Sequence, residues 1–245
     1  MGFVGRPLCQ RLIDQGHRVT AIGSRPREDV IAHPDFSYLA ADTTRTGSWQ
    51  GELNTADAVV NLTGRSIFKR WTKAYKQEIY ESRILTTQTL VAGLNAARNP
   101  VFLSTSAIGY YGDTGEATVT ESQGAGDDFL ARLSIDWEAA ALKAQDQGAR
   151  VVLMRFGVVL GPQGGALEKM MPIFRLGGGG PLGSGRQWFS WIHLQDLVAA
   201  AYFLLTREEA RGAYNFTAPQ PVRNRELAAT LGKTLHRPAF IPVPA

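Results

Sequence analysis

The feature that most constrains this chain is the alternation of short, unbroken apolar runs with long amphipathic ones. Strand candidates fall at 17–23 (HRVTAIG), 36–40, 58–62 (AVVNL), 101–106 (VFLSTS), 151–156 (VVLMRF), 213–216 and 239–243. Most are continuous in Val, Ile and Leu instead of alternating with polar residues, which is how strands buried on both faces of a parallel sheet read. Between them the spacing predicts helices at 6–15, 73–98, 129–147, 194–206 and 224–235. Strand and helix in alternation argue for an α/β fold with a doubly wound parallel sheet. The glycine-rich stretch 177–185 (GGGGPLGSG) reads as a loop. It is expected to divide a nucleotide-binding domain, 1–160, from a mainly substrate-side region, 161–245, interleaved with the sheet.

Composition narrows the function. The chain has 245 residues, 44% of them apolar, enough for a substantial core. A single cysteine, Cys9, excludes a disulfide scaffold. Net charge is +4, from 26 basic and 22 acidic residues. The basic pairs Arg25 and Arg27, Lys69 and Arg70, and Arg223 and Arg225 lie far apart in sequence, so no nucleic-acid stripe is expected. A phosphate-bearing small molecule accounts for the same surplus. His17, His33, His193, His236 and Cys9 lack ligand spacing, so no metal site is expected. No G-x-S-x-G elbow occurs. No apolar run reaches the roughly 20 residues that span a bilayer, and no secretory leader opens the chain. The expectation is a cytoplasmic protein without a membrane partner. The first helix lacks a preceding strand, and the last apparent strand runs straight into the end. Truncation at both termini is therefore expected.

The opening Met1-Gly2-Phe3-Val4-Gly5 sets two glycines at a helix start. They have the spacing of the last two glycines of G-x-x-G-x-x-G. Unpaired N–H groups and the positive end of the helix dipole suit a pyrophosphate there, and glycine permits close approach. Roughly 20 residues on, an Asp or Glu would bind the ribose 2′-hydroxyl of NAD. Ser24 and Arg25 stand there instead. Their hydrogen bond and charge suit a 2′-phosphate, which favours NADP(H). Asp42, after the next strand, serves either the adenine amino group or its own turn. Asn61-Leu62-Thr63-Gly64 follows from the strand candidate at 58–62, where backbone lines a dinucleotide cleft.

These segments resemble the extended short-chain dehydrogenase/reductases, the NAD(P)-dependent sugar epimerases and dehydratases, over nearly the whole chain. The matching stretches are GFVG (2–5), NLTG (61–64), STSAIGYYG (104–112), RFGVVLG (155–161) and WIHLQDL (191–197). More closely, KRWTKAYKQEIYESRILTTQ (69–88), DWEAAA (136–141) and GSGRQWFSWIH, ending at His193, resemble the atypical subgroup called epimerase family proteins. The resemblance implies a Rossmann-like sheet, a first strand before Met1 and a short helical segment after Ala245. It also implies NADP contacts at Ser24, Arg25, Leu62, Thr63, Glu78, Arg83 and Val158, and a homodimer through the helices at 73–98 and 129–147.

In such enzymes a Ser or Thr holds the substrate oxygen, a Tyr moves the proton, and a Lys four residues later lowers the Tyr pKa. Ser106 fits the first role. Aligned on Glu138, the other two positions hold Leu130 and Ser134, which supply neither a titratable phenol nor a charge. Tyr110 and Tyr111 are the nearest phenols, either as substitute proton donors or as packing. Arg186, set among glycines near Trp188, suits an anionic or ring-bearing substrate. Asp196 reads as a helix N-terminal acid. Arg155 lies either beside the cleft or in a buried pair. The function read from these residues is an NADP(H)-dependent oxidoreductase or epimerase-like protein acting on a small carbonyl or sugar-like molecule. Its alternative is an NADP-binding sensor or scaffold that lacks the Tyr-Lys pair.

Overall fold

The computed structural model describes residues 1–27 and 30–242. The chain divides into two compact units. The first comprises Met1–Arg155 and Val198–Asn215, and the second Phe156–Leu197 and Phe216–Ala245. The glycine stretch 177–185 thus lies wholly within the second unit, and the chain first passes between units at Arg155–Phe156.

The first unit opens with α1 (Gly5–Asp14), which buries Leu8 and Ile13. Strands β1 (Val19–Gly23) and β2 (Phe36–Ala40) pair in parallel, Val19 opposite Phe36 and Gly23 opposite Ala40. A separate sheet runs in the order β3 (Ala58–Asn61), β4 (Val101–Ala107), β5 (Arg150–Phe156), β9 (Gly212–Phe216). Its β3 and β4 are parallel, with Asn61 opposite Ser104. Among the described residues β1 and β3 each pair on one edge only. Interior residues of β4 and β5 are almost all buried, as their unbroken apolar runs predict.

Two long helices, α2 (Lys73–Ala92) and α3 (Phe129–Leu142), pack on each other and cover the sheet. Each starts at a side-chain cap: the Thr72 hydroxyl accepts from the Tyr75 N–H at 3.1 Å, and Asp128 accepts from the Ala131 N–H at 2.8 Å. Trp49, Leu53, Leu90, Val91, Phe102, Val151 and Leu153 form the core between these layers. Arg150 closes the far end, donating to the carbonyls of Leu204, Leu205 and Ala210. This places a cation where the last carbonyls of α5 (Leu194–Thr206) are exposed.

In the second unit, β6 (Val158–Leu160) pairs in parallel with β8 (Trp191–His193), and β7 (Trp188–Phe189) pairs antiparallel with β10 (Val222–Arg223). Helices α4 (Gly165–Arg175) and α6 (Asn224–Leu235) pack on each other.

The fold is the expected α/β parallel-sheet architecture, with local corrections. The helix expected over 73–98 ends at Ala92, where Gly93 follows, and Ala96–Arg98 is a separate 3-10 turn. That over 129–147 ends at Leu142 and tightens into a 3-10 turn, Lys143–Gln147. The strand expected at 239–243 does not form over its described residues 239–242, where two prolines flank the segment and restrict it. Helix α4 had no sequence reading, because Pro172 sits inside it and Gly164 and Gly165 at its start. Strands of two or three residues, such as β7 and β10, are too short for periodicity to reveal. No helix is long and apolar enough to cross a membrane, among the described residues.

Candidate functional site

The carboxyl ends of β1 and β3 and the start of α1 gather the residues expected at a dinucleotide. Val4 precedes α1 without a side-chain cap, and the first turn holds no acid. The Arg6 N–H bonds the Gly2 carbonyl at 3.1 Å and Pro7 carries no N–H, so among the described residues the Gly5 N–H is the first-turn donor left for a ligand or water. A Cβ at Gly2 would meet nothing within 4 Å, whereas Gly5 packs against Leu62. Ser24 and Arg25 are exposed just beyond β1. The turn is tied down twice. The Tyr38 hydroxyl donates to the Arg25 carbonyl at 2.6 Å, and the Arg27 guanidinium donates to the Met1 carbonyl. A side chain at Gly23 would collide with the Tyr38 hydroxyl, so this approach requires glycine.

Thr63 follows β3, and its N–H donates to Asn61 Oδ1 at 3.1 Å. Asn61 is buried and donates to Thr87 Oγ1 at 2.9 Å, and Thr87 also accepts from the Trp137 indole at 2.9 Å. This network fixes the loop that carries Leu62, Thr63 and Gly64. Arg83 lies directly behind Gly64, where an added Cβ would stand 3.0 Å from the guanidinium carbon. That guanidinium donates to the carbonyls of Ile79 and Arg65 and covers the Trp137 ring at 5.1 Å. Burial lowers its pKa to about 10, against a smaller opposing contribution from Tyr75. Glu78 is ion-paired with Arg65 at 2.8 Å. Asp42 Oδ1 accepts from both the N–H and the hydroxyl of Thr44, which hold its pKa below the ordinary value, so its described bonds serve its own turn.

Of the three candidate catalytic residues, Tyr110 and Tyr111 meet one buried cation, Arg155, and Ser106 meets its counter-ion, Glu138. Arg155 donates through Nε and Nη2 to the two oxygens of Glu138, both at 2.8 Å. Its Nη1 donates to the Tyr111 hydroxyl at 2.9 Å, and its guanidinium lies 3.6 Å from the centre of the Tyr110 ring. Burial disfavours this charge, but its hydrogen bonds to Glu138 and Tyr111 outweigh that and raise the Arg155 pKa above its ordinary value. Ser106, only 1% exposed, donates to Glu138 at 2.6 Å. The Tyr111 hydroxyl in turn donates to Asn215 at 2.7 Å. Of the readings open for Arg155, the buried pair is the one observed.

Leu130 and Ser134 lie on α3, with Ser134 buried. Leu130 packs against the 3-10 turn Ile108–Tyr111, its Cβ 3.2 Å from where a Cβ on Gly109 would stand. Sequence reasoning missed Glu138, Asn61 and Arg65 as site residues. Asn61 and Glu138 fall inside the quoted segments NLTG and DWEAAA, but segment likeness does not say which side chains meet.

In the second unit, Trp188 is 44% exposed and Arg223 stacks on it at 3.6 Å while donating to the Arg186 carbonyl at 2.6 Å. Val158 opens β6 of the same unit. His193 Nδ1 accepts from the Gln195 N–H at 3.2 Å, and Asp196 is in the first turn of α5. Among the described residues no three His, Cys, Asp or Glu side chains gather as a metal-ligand set.

The sequence pattern of the NAD dependent epimerase/dehydratase family matches residues 1–216. The chain is 43% identical over 249 residues to an epimerase family protein SDR39U1 homolog, chloroplastic, of Arabidopsis thaliana, spanning 99% of this chain and 71% of that one. It is 40% identical over 251 residues to the epimerase family protein SDR39U1 of Bos taurus, spanning 100% of this chain and 81% of the other. Among solved structures, the human epimerase family protein SDR39U1 (isoform 2) with NADPH superposes with a TM-score of 0.83 at 37% identity. That match covers 99% of this chain and 80% of the human one.

Proposed function

The chain belongs to the NAD dependent epimerase/dehydratase family, and on that premise we propose that it is an NADP(H)-binding oxidoreductase or epimerase-like protein acting on a small carbonyl or sugar-like molecule. One observation carries the reading. The uncapped, acid-free start of α1 and the exposed Ser24–Arg25 turn are tied together through Arg27 and Met1. The donor set fits a 2′-phosphorylated dinucleotide, because a serine and an arginine stand where an acid would repel that phosphate.

In this reading Gly2, Phe3, Val4 and Gly5 hold the pyrophosphate, and Ser24 and Arg25 hold the 2′-phosphate. Leu62, Thr63 and Gly64 line the cleft, braced from behind by Arg83 and Glu78. Asp42 and Val158 complete the contacts. When bound, NADP(H) supplies a carrier for hydride. The chain itself positions protons. The Ser106 hydroxyl donates its hydrogen bond to Glu138 at 2.6 Å, so Ser106 offers acceptor lone pairs. Tyr111 is committed to Arg155 and Asn215. Tyr110 therefore carries the proton-transfer role. Arg186 and Trp188 recognise the substrate. The NADPH-bound human relative supports the cofactor assignment. Self-association through α2 and α3 belongs to the same reading, supported by exposed Leu85, Ile135 and Leu142, and light scattering tests it.

A second reading, a binding protein without proton transfer, is favoured by Leu130 and Ser134, which fill the family's Tyr and Lys positions with packed, uncharged side chains. Titration with NADPH and NADH tests the cofactor. A charged hydrogen bond contributes about 1.5–3 kcal/mol, so Arg25→Ala should weaken NADPH by about ten- to a hundredfold and leave NADH nearly unchanged. Equal affinity for both cofactors would sink the assignment. NADPH oxidation with a panel of carbonyls separates the two readings: turnover lost in Tyr110→Phe marks the enzyme.

A further inference from the structure

The surface at the start of α2 has the properties of a separate site. Residues 65–76 hold five cations, Arg65, Lys69, Arg70, Lys73 and Lys76, and no acid. Arg65 is paired with Glu78. Among the described residues the other four make no ion pair. Lys73 and Lys76 stand in the first turn of α2, which contains no acid. Cations there oppose the positive end of the helix dipole. Local folding preference would place Asp or Glu at these positions, so their charge calls for another partner.

A cavity of about 380 Å³ opens beside them, lined by Trp71, Lys73, Lys76, Gln77, Tyr80 and Phe129. That volume is in the range of small-molecule sites. Trp71 and Phe129 meet edge to face, with ring centres 5.5 Å apart and planes at 63°, so they form two walls of a corner. The Lys76 ammonium lies 4.9 Å from the Phe129 ring centre and 5.9 Å from that of Trp71. These walls are held before any ligand arrives. The Trp71 indole donates to the Ile67 carbonyl at 2.9 Å, and the Tyr75 hydroxyl donates to the Ser66 carbonyl at 2.5 Å. At the rim, the Tyr80 hydroxyl donates to Asp136 at 3.0 Å.

We propose that this corner binds an aromatic anion. Its ring stacks against Trp71 or Phe129, and its phosphate, sulfate or carboxylate pairs with Lys73 and Lys76 at the N-terminus of α2. The aromatic walls distinguish such a ligand from a simple ion, and the lysines distinguish it from a neutral ring. The site does not depend on the cofactor reading, since none of its six residues belongs to the proposed dinucleotide contacts.

The test titrates phenyl phosphate into the full chain with NADPH present in excess, by calorimetry and by the NMR shift of the Trp71 indole N–H. Saturable binding is expected, with inorganic phosphate and benzyl alcohol each about tenfold weaker or more. Lys76→Gln and, separately, Trp71→Leu should each weaken phenyl phosphate by about tenfold. The melting temperature of Lys76→Gln should not fall, and its NADPH affinity should be unchanged. Inorganic phosphate binding as tightly as phenyl phosphate would overturn the proposal, as would phenyl phosphate binding that ignores Lys76→Gln. So would a single-stranded oligonucleotide that binds with steep salt dependence where phenyl phosphate does not bind.

Discussion

Two regions of the first unit are built from the same parts, cations laid over aromatic rings, and they end in opposite states. Around Arg155 the guanidinium is buried, stacked 3.6 Å from Tyr110 and fully engaged by Glu138 and Tyr111. Around α2 the lysines stand beside Trp71 and Phe129 in the open, without a counter-ion among the described residues. The comparison teaches that cation–aromatic contact does not itself mark a ligand site. What decides is whether the charge is already satisfied. A saturated cation in the interior locks the fold, whereas an unsatisfied one at a cavity is available for recognition.

The contrast breaks most severely at Glu138. Glu138→Gln should leave the Arg155 charge buried without its counter-ion and cost about 3–5 kcal/mol, measured by denaturant unfolding. A loss below about 1 kcal/mol, the range of exposed pairs, would show that water reaches Arg155 and that the two regions are alike. Asn61→Ala comes next. It strands the Thr63 N–H and removes one donor from Thr87, and leaving a buried polar group unpaired costs about 1–3 kcal/mol. The same unfolding curve reads it. Lys73→Gln with Lys76→Gln should do the opposite. Removing cations from the positive end of α2 should stabilise by about 0.3–1 kcal/mol each, visible as a raised melting temperature, while any gain should shrink in high salt.

Cys9 gives the smallest effect. Burial pushes its thiol up to about 11, and the thiolate is the reactive form. Alkylation by iodoacetamide should be slow at pH 8 and accelerate as pH rises through 11. A rate already at its plateau by pH 9 would contradict this burial.

The α/β layering was legible because it rests on period. The runs at 101–106 and 151–156 are apolar without interruption, and that pattern marks strands covered on both faces. Helix starts were legible where a cap stands before a periodic stretch, as at Asp128. Ser24 and Arg25 were legible as a pair at a strand end, since the next acid-or-base position after β1 is local in sequence. The helix ends were less so. The 3-10 turns at Ala96–Arg98 and Lys143–Gln147 are made of residues common in helices (AAR and KAQDQ), so composition does not mark the change of geometry. The Pro-flanked segment 239–242 reads as apolar enough for a strand, but among the described residues it forms no ladder.

By itself the sequence determined the layered sheet, the glycine-led start of α1 and the basic turn after β1. Each depends on residues that neighbour one another along the chain, and short-range stereochemistry suffices to interpret them. Only the tertiary structure decided that Glu138 neutralises Arg155, that the Tyr111 hydroxyl is bonded to Arg155 and Asn215, and that, among the described residues, four of the cations near α2 make no ion pair. Those outcomes depend on which side chains meet across α3, β4 and β5 and on what water is excluded from. Charge satisfaction is a property of three-dimensional neighbours, and spacing along a chain does not encode it.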